Sequence, residues 1–111
     1  MEALQWTMTI PQDKQSAFIS FYNQTIRSTW LKFGAIKCEL FKTLREKVTK
    51  DNYFPEEQFV ETIYLKEGLT AKEFFEQVKA NPEAWEISRQ YEKQFDARDI
   101  VMKVLINIYT N

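Results

Sequence analysis

Phe59-Val60-Glu61-Thr62-Ile63-Tyr64-Leu65-Lys66-Glu67-Gly68-Leu69-Thr70-Ala71-Lys72-Glu73 passes from one periodicity to another within fifteen residues. Its first half is rich in β-branched and aromatic side chains, which suits a strand. Its second half holds a helix start: the Thr70 hydroxyl can accept the Glu73 amide proton, and the Glu73 carboxylate can reach back to the Thr70 amide. Leu69 and Phe74 stand at the staple positions around that box. A second start follows at once, because Asn81 can cap and Pro82 fits a first helical position. The spacing therefore predicts a helix broken near Ala80 that resumes through Trp85, Tyr91 and Phe95.

The same two periods recur on either side. Leu4, Trp6, Met8 and Ile10 alternate with polar residues and predict a first strand, closed by Pro11, which has no N–H for a ladder. From Gln12 to Phe33, Phe18, Phe21, Tyr22, Ile26, Trp30 and Phe33 recur at helical steps, and Gly34 stands where a left-handed cap is needed. Ile36, Cys38 and Leu40 alternate with Lys37, Glu39 and Phe41 as a second strand. The charged segment from Arg45 to Glu57 reads as a long connection to the third. Ile100, Met102, Val104, Ile106 and Ile108 alternate with Val101, Lys103, Leu105, Asn107 and Tyr109 as a fourth. The order is β-α-β-β-α-β. It predicts an α+β fold in which a four-stranded antiparallel sheet carries both helices on one face.

Composition narrows the classes. The 111 residues predict a single domain, 1–111, and a content of 44 % hydrophobic and 15 % aromatic residues argues against disorder. Without 18 consecutive apolar residues no membrane span is expected, and the start of the chain lacks a signal-peptide pattern. Cys38 is the one cysteine and reads as a buried inert thiol; a cytoplasmic location fits. Fifteen basic and sixteen acidic residues are interleaved, which leaves no basic face for phosphates. The RNA-recognition motif shares this element order. Its third strand, however, carries a glycine-containing signature, and Gln58–Tyr64 has none and places Glu61 there instead. Nucleic acid is not an expected partner.

A sheet covered on one side only should be polar on the other. Here Val101, Leu105 and Tyr109 oppose the main apolar row of the fourth strand, and the third is apolar on both sides apart from Glu61 and Thr62. A bare apolar face of that kind predicts cover by a second copy, sheet against sheet about a two-fold axis: a homodimer.

On three stretches the chain resembles the dimeric α/β-barrel superfamily of ferredoxin-like subunits, and more narrowly antibiotic-biosynthesis-monooxygenase domains. These are the glycine-to-strand passage Gly34–Leu40, the third strand Phe59–Tyr64 and the broken helix Phe74–Trp85. The resemblance implies a dimeric α/β barrel. It also implies a small apolar or aromatic ligand and, by extension, cofactor-free oxygenation, in which the substrate carbanion itself activates oxygen. Many relatives place a histidine shortly before the helix break; this chain has Gln77 and Val78 there and no histidine at all. Haem ligation of the usual kind and imidazole acid–base chemistry are thereby disfavoured. No metal-ligand spacing or phosphate-cradling loop is present, so no cofactor and no metal are expected.

Candidate site residues follow. Glu61 is a charge in an apolar strand. Facing a closed cavity it becomes a general base with a raised pKa; the simpler reading is an edge or interface glutamate paired with a lysine or arginine. Trp85 follows the helix break, where relatives often line the cavity mouth, although packing is the simpler reading; Trp30, on the helix stripe, reads as core. Asn107 and Tyr109, with Tyr64, are candidate ligand contacts, and Asn107 can also be a plain exposed residue near the chain end. Two functions remain open. One is a small-molecule site, oxygenase-like or simply binding. The other is a non-enzymatic homodimeric structural or interaction domain with its barrel filled by its own aromatics. A cavity above about 300 Å3 with converging polar groups distinguishes the first from the second.

Overall fold

The computed structural model describes residues 1–43 and 57–108. Most of the predicted Arg45–Glu57 connection and Tyr109 lie outside the described residues. The elements are β1 (Glu2–Thr9), α1 (Gln12–Phe21), a π-helical turn (Tyr22–Ile26), α2 (Arg27–Lys32), β2 (Ala35–Lys42), β3 (Phe59–Leu65), α3 (Ala71–Ala80), α4 (Pro82–Lys93) and β4 (Arg98–Ile106). The sheet order is β2-β3-β1-β4, antiparallel throughout. This is the ferredoxin-like arrangement, with β3 inserted between the two strands that α1 and α2 connect. No helix among the described residues is long and apolar enough to cross a membrane.

The punctuation read from the sequence is in place. Thr70 and Glu73 form the reciprocal box, with the Glu73 amide donating to Thr70 Oγ1 at 3.1 Å and the Thr70 amide to Glu73 Oε1 at 3.2 Å. Asn81 Oδ1 accepts from the Ala84 amide at 3.0 Å, and Pro82 opens α4. Gly34 has φ +111°, a backbone conformation that favours glycine; a Cβ there would also push the tip of the Leu69 side chain, whose Cδ2 would lie at 2.5 Å, out of its place.

The first helical run adds a detail. Phe18, Tyr22, Ile26 and Trp30, all buried, are spaced four apart. An α-helix overshoots by about 40° every four residues, so such a stripe drifts off the core. The wider π-helical turn at Tyr22–Ile26 takes back part of that drift and keeps all four side chains on the sheet. Phe18 anchors the centre, edge-on to Phe59, Tyr91 and Phe95 at 5.3–5.7 Å between ring centroids.

Register assigns the faces. Leu4 pairs with Ile63, Trp6 with Glu61 and Met8 with Phe59, and this row lies beneath the helices. Gln5 pairs with Thr62 and Thr7 with Val60 on the open face. Two expectations are corrected. Ile36 does not join Cys38 and Leu40 in the covered row: a bulge between Ala35 and Lys37 leaves it exposed and buries Ala35 in its place. The open face, in turn, is mixed rather than apolar, because Gln5, Thr7, Glu39, Thr62 and Lys103 stand among Phe41, Val60, Val101 and Leu105. The uncovered apolar surface gathers instead along β4. There the helix-side row of Met102, Val104 and Ile106 is exposed as well, since the helices do not reach over this edge strand.

Candidate functional site

Between the sheet and α2–α4 opens a cleft of about 560 Å3. Its floor is Trp6 and Met8 of β1 with Ile100 of β4. Trp30 of α2 and Phe74, Phe75 and Val78 of α3 form the inner wall. Trp85, Ser88, Arg89, Tyr91, Glu92 and Lys93 of α4 complete it. Its aromatics brace one another edge-to-face, Trp6 on Phe75 at 5.8 Å and Trp30 on Phe74 at 5.9 Å. The chain has three tryptophans, and all three line this cleft. The break at Asn81-Pro82 turns α4 away from the line of α3 and brings Trp85 to the rim, 39 % exposed.

Glu61 lies directly behind the inner wall, fully buried on the helix side of β3. The Trp30 indole N–H donates to its Oε2 at 3.1 Å, and the Tyr91 hydroxyl donates to its Oε1 at 2.7 Å. Burial pushes its carboxyl up from 4.5 to about 7; the two hydrogen bonds favour the charged form and offset only part of that. The sequence left open an edge or interface glutamate paired with a lysine or arginine. The structure gives a central-strand glutamate held by an indole and a phenol. Glu61 does not itself form cleft surface, whereas Trp30 and Tyr91, which hold it, do.

The surroundings stay protonated. Desolvation, then the charge of Glu61, pushes the Cys38 thiol up to about 12, so it is no nucleophile near neutral pH. The same two causes, in the same order, raise Tyr22 and Tyr91 above the usual phenol value. The Tyr22 hydroxyl is buried without a hydrogen-bond partner among the described residues.

The other candidates are scattered. Trp85 lines the cleft, as expected of a mouth residue. Tyr64 does not: it pairs with Ala3 and Lys37 on the open face, where the Lys37 ammonium lies 5.7 Å from its ring centroid and its hydroxyl donates to the Glu39 carboxylate. Asn107 follows the end of β4, its amide donating to the Met1 carbonyl at 3.3 Å, and is not among the cleft-lining residues. Sequence reasoning missed Tyr91 and took Trp30 only as core. A usable signal existed. Buried Tyr and Trp need a partner for their polar tips, and Glu61 was the odd charge in a strand facing both helix stripes.

No family model matches the chain, and no curated protein matches it. Solved structures do. A candidate antibiotic biosynthesis monooxygenase from Deinococcus radiodurans superposes with a TM-score of 0.68 at 11 % identity, over 100 % of this chain and 96 % of its own. An EthD family protein from Bacillus halodurans superposes with a TM-score of 0.54 at 12 % identity, over 97 % and 100 %. At such identities the likeness establishes the ferredoxin-like fold and leaves the activity to be argued from the cleft.

Proposed function

We propose that the protein binds a small apolar or aromatic molecule in this cleft, acts on it as a cofactor-free monooxygenase, and works as a homodimer. One observation carries the reading: an aromatic-walled cleft of about 560 Å3 backed by a buried carboxyl whose pKa is pushed to about 7. That volume exceeds what separates a ligand site from a self-filled interior. Among the described residues most aromatics stand in the core and the cleft walls, and Phe41 and Tyr64 stand on the open face. The Deinococcus radiodurans neighbour, described as a candidate monooxygenase, supports the reaction class.

The chemistry needs a proton acceptor and a dry pocket. A phenolic substrate gives its proton to the Tyr91 oxygen while the Tyr91 proton passes along its 2.7 Å bond to Glu61. The resulting carbanion attacks oxygen. One oxygen atom stays on the ring as a quinone oxygen, the other leaves as water, and the substrate supplies both electrons: phenol plus O2 gives quinone plus H2O. Tyr91 touches the substrate, and Glu61 stores the proton behind it.

The dimer rests on the apolar β4, whose Val104, Leu105 and Ile106 are all exposed in the single chain. Native mass spectrometry of gently purified protein tests the whole reading. A dimer carrying a small additional mass is expected. A bare monomer would remove both the dimer and the main support for a retained ligand.

A further inference from the structure

The polar groups of the cleft are not spread around it. Floor and inner wall are apolar or aromatic, and the charged lining residues, Arg89, Glu92 and Lys93, all come from α4. A ligand that fits must therefore be amphipathic, with its polar end against that helix.

The sign of that end follows from what each charge already holds. Lys93 is committed to Glu86 at 3.3 Å, and Glu86 also accepts from Gln90 at 2.8 Å. Arg89 meets the same carboxylate only at 3.9 Å, the outer limit of an ion pair. Its planar fork of donors is thus largely unspent, and that fork matches a carboxylate bidentately as an ammonium cannot. Glu92 opposes this sign and Lys93 is met by Glu86, so the preference for an anion rests on the unspent donors of Arg89. The other end is closed to an anion, because Glu61 lies just behind Trp30 and Tyr91 and a second carboxylate pushed inward would meet it.

Building on the small-molecule reading of the cleft, we propose that its ligand is a planar aromatic acid. Its ring lies among the three tryptophans, and its carboxylate sits outward on Arg89. Arg89 sets the ligand class, and the tryptophans supply the contact area.

Titration calorimetry with two probes of equal shape tests this: 2-naphthoate and naphthalene-2-carboxamide, which lacks the charge. The intact protein is expected to bind the naphthoate at least tenfold more tightly. Arg89→Gln should bring the two to similar affinity by weakening the naphthoate far more than the carboxamide, and Arg89→Lys should restore only part of the preference. Equal affinities in the intact protein, or a preference that survives Arg89→Gln, would overturn the aromatic-acid assignment and leave the cleft as a binding site. Binding of neither probe would overturn the assignment and count against the cleft reading too.

Discussion

Strands β3 and β4 invert the usual partition of side chains. In β3 a carboxyl, Glu61, is wholly buried in the centre of the sheet; in β4 the apolar residues from Ile100 to Ile106 are all exposed. Burying an acid costs several kcal/mol unless hydrogen bonds and protonation offset it. Exposing a row of valine, leucine and isoleucine forfeits about 25 cal/mol per Å2 left in water. Neither pattern serves the stability of the isolated chain. The first is where chemistry is read, and the second is where a partner is read.

The largest expected effect lies on β4. In the proposed dimer, Val104→Glu on the helix side and Leu105→Glu on the open face each place a charge in an apolar contact. Whichever face the partner covers should lose self-association by 100-fold or more, about 3 kcal/mol. Analytical ultracentrifugation of the two variants reads this directly, and unchanged assembly in both would leave β4 simply exposed.

Next comes the pH dependence of β3. The folded pKa of Glu61 is raised from 4.5 to about 7, so the folded state holds its proton more tightly than the unfolded chain. Stability from this group is complete below about pH 4.5 and is lost as pH rises towards 7, to the extent of about 3 kcal/mol. Glu61→Gln should abolish that slope. Its amide oxygen can accept from Trp30 and its NH2 can donate to the Tyr91 oxygen, so the fold survives. Urea unfolding at pH 5 and pH 8 compares the two proteins; parallel losses would mean that Glu61 does not titrate in this window.

Tyr91→Phe removes a donor that favours the charged carboxyl. It should cost about 1–2 kcal/mol and move the Glu61 titration to higher pH, seen in the fluorescence of the neighbouring Trp30. Smallest is Trp85→Ala at the cleft rim. Thermal unfolding should change by no more than about 0.5 kcal/mol while naphthalene binding weakens, which separates the rim from the core.

Elements whose causes lie within one or two turns were legible in the chain. Thr70 and Glu73 cap each other three residues apart, Asn81 and Pro82 restart a helix at adjacent positions, and Gly34 ends one. Strand periods come from the same local alternation, and their order was enough for the topology. The faces were less secure, since one extra residue at the Ala35–Lys37 bulge is enough to turn Ile36 outward. The bare apolar side chains Val101 and Leu105 were expected on the open face, but the exposure of the helix-side row of β4, Met102, Val104 and Ile106, was not visible at all. Its alternation is that of a covered strand, and only the reach of the helices decides that it is not.

By itself, then, the sequence determined the elements, their order and the absence of any imidazole from the chemistry. The tertiary structure alone decided what Glu61 is. Its partners, Trp30 and Tyr91, lie 31 and 30 residues away on different helices, and the burial that raises its pKa belongs to the space between them and the sheet. Hydrogen bonds and caps act over a few ångströms along the chain and leave their mark in spacing. A desolvated carboxyl is a property of the volume around it, which no spacing records.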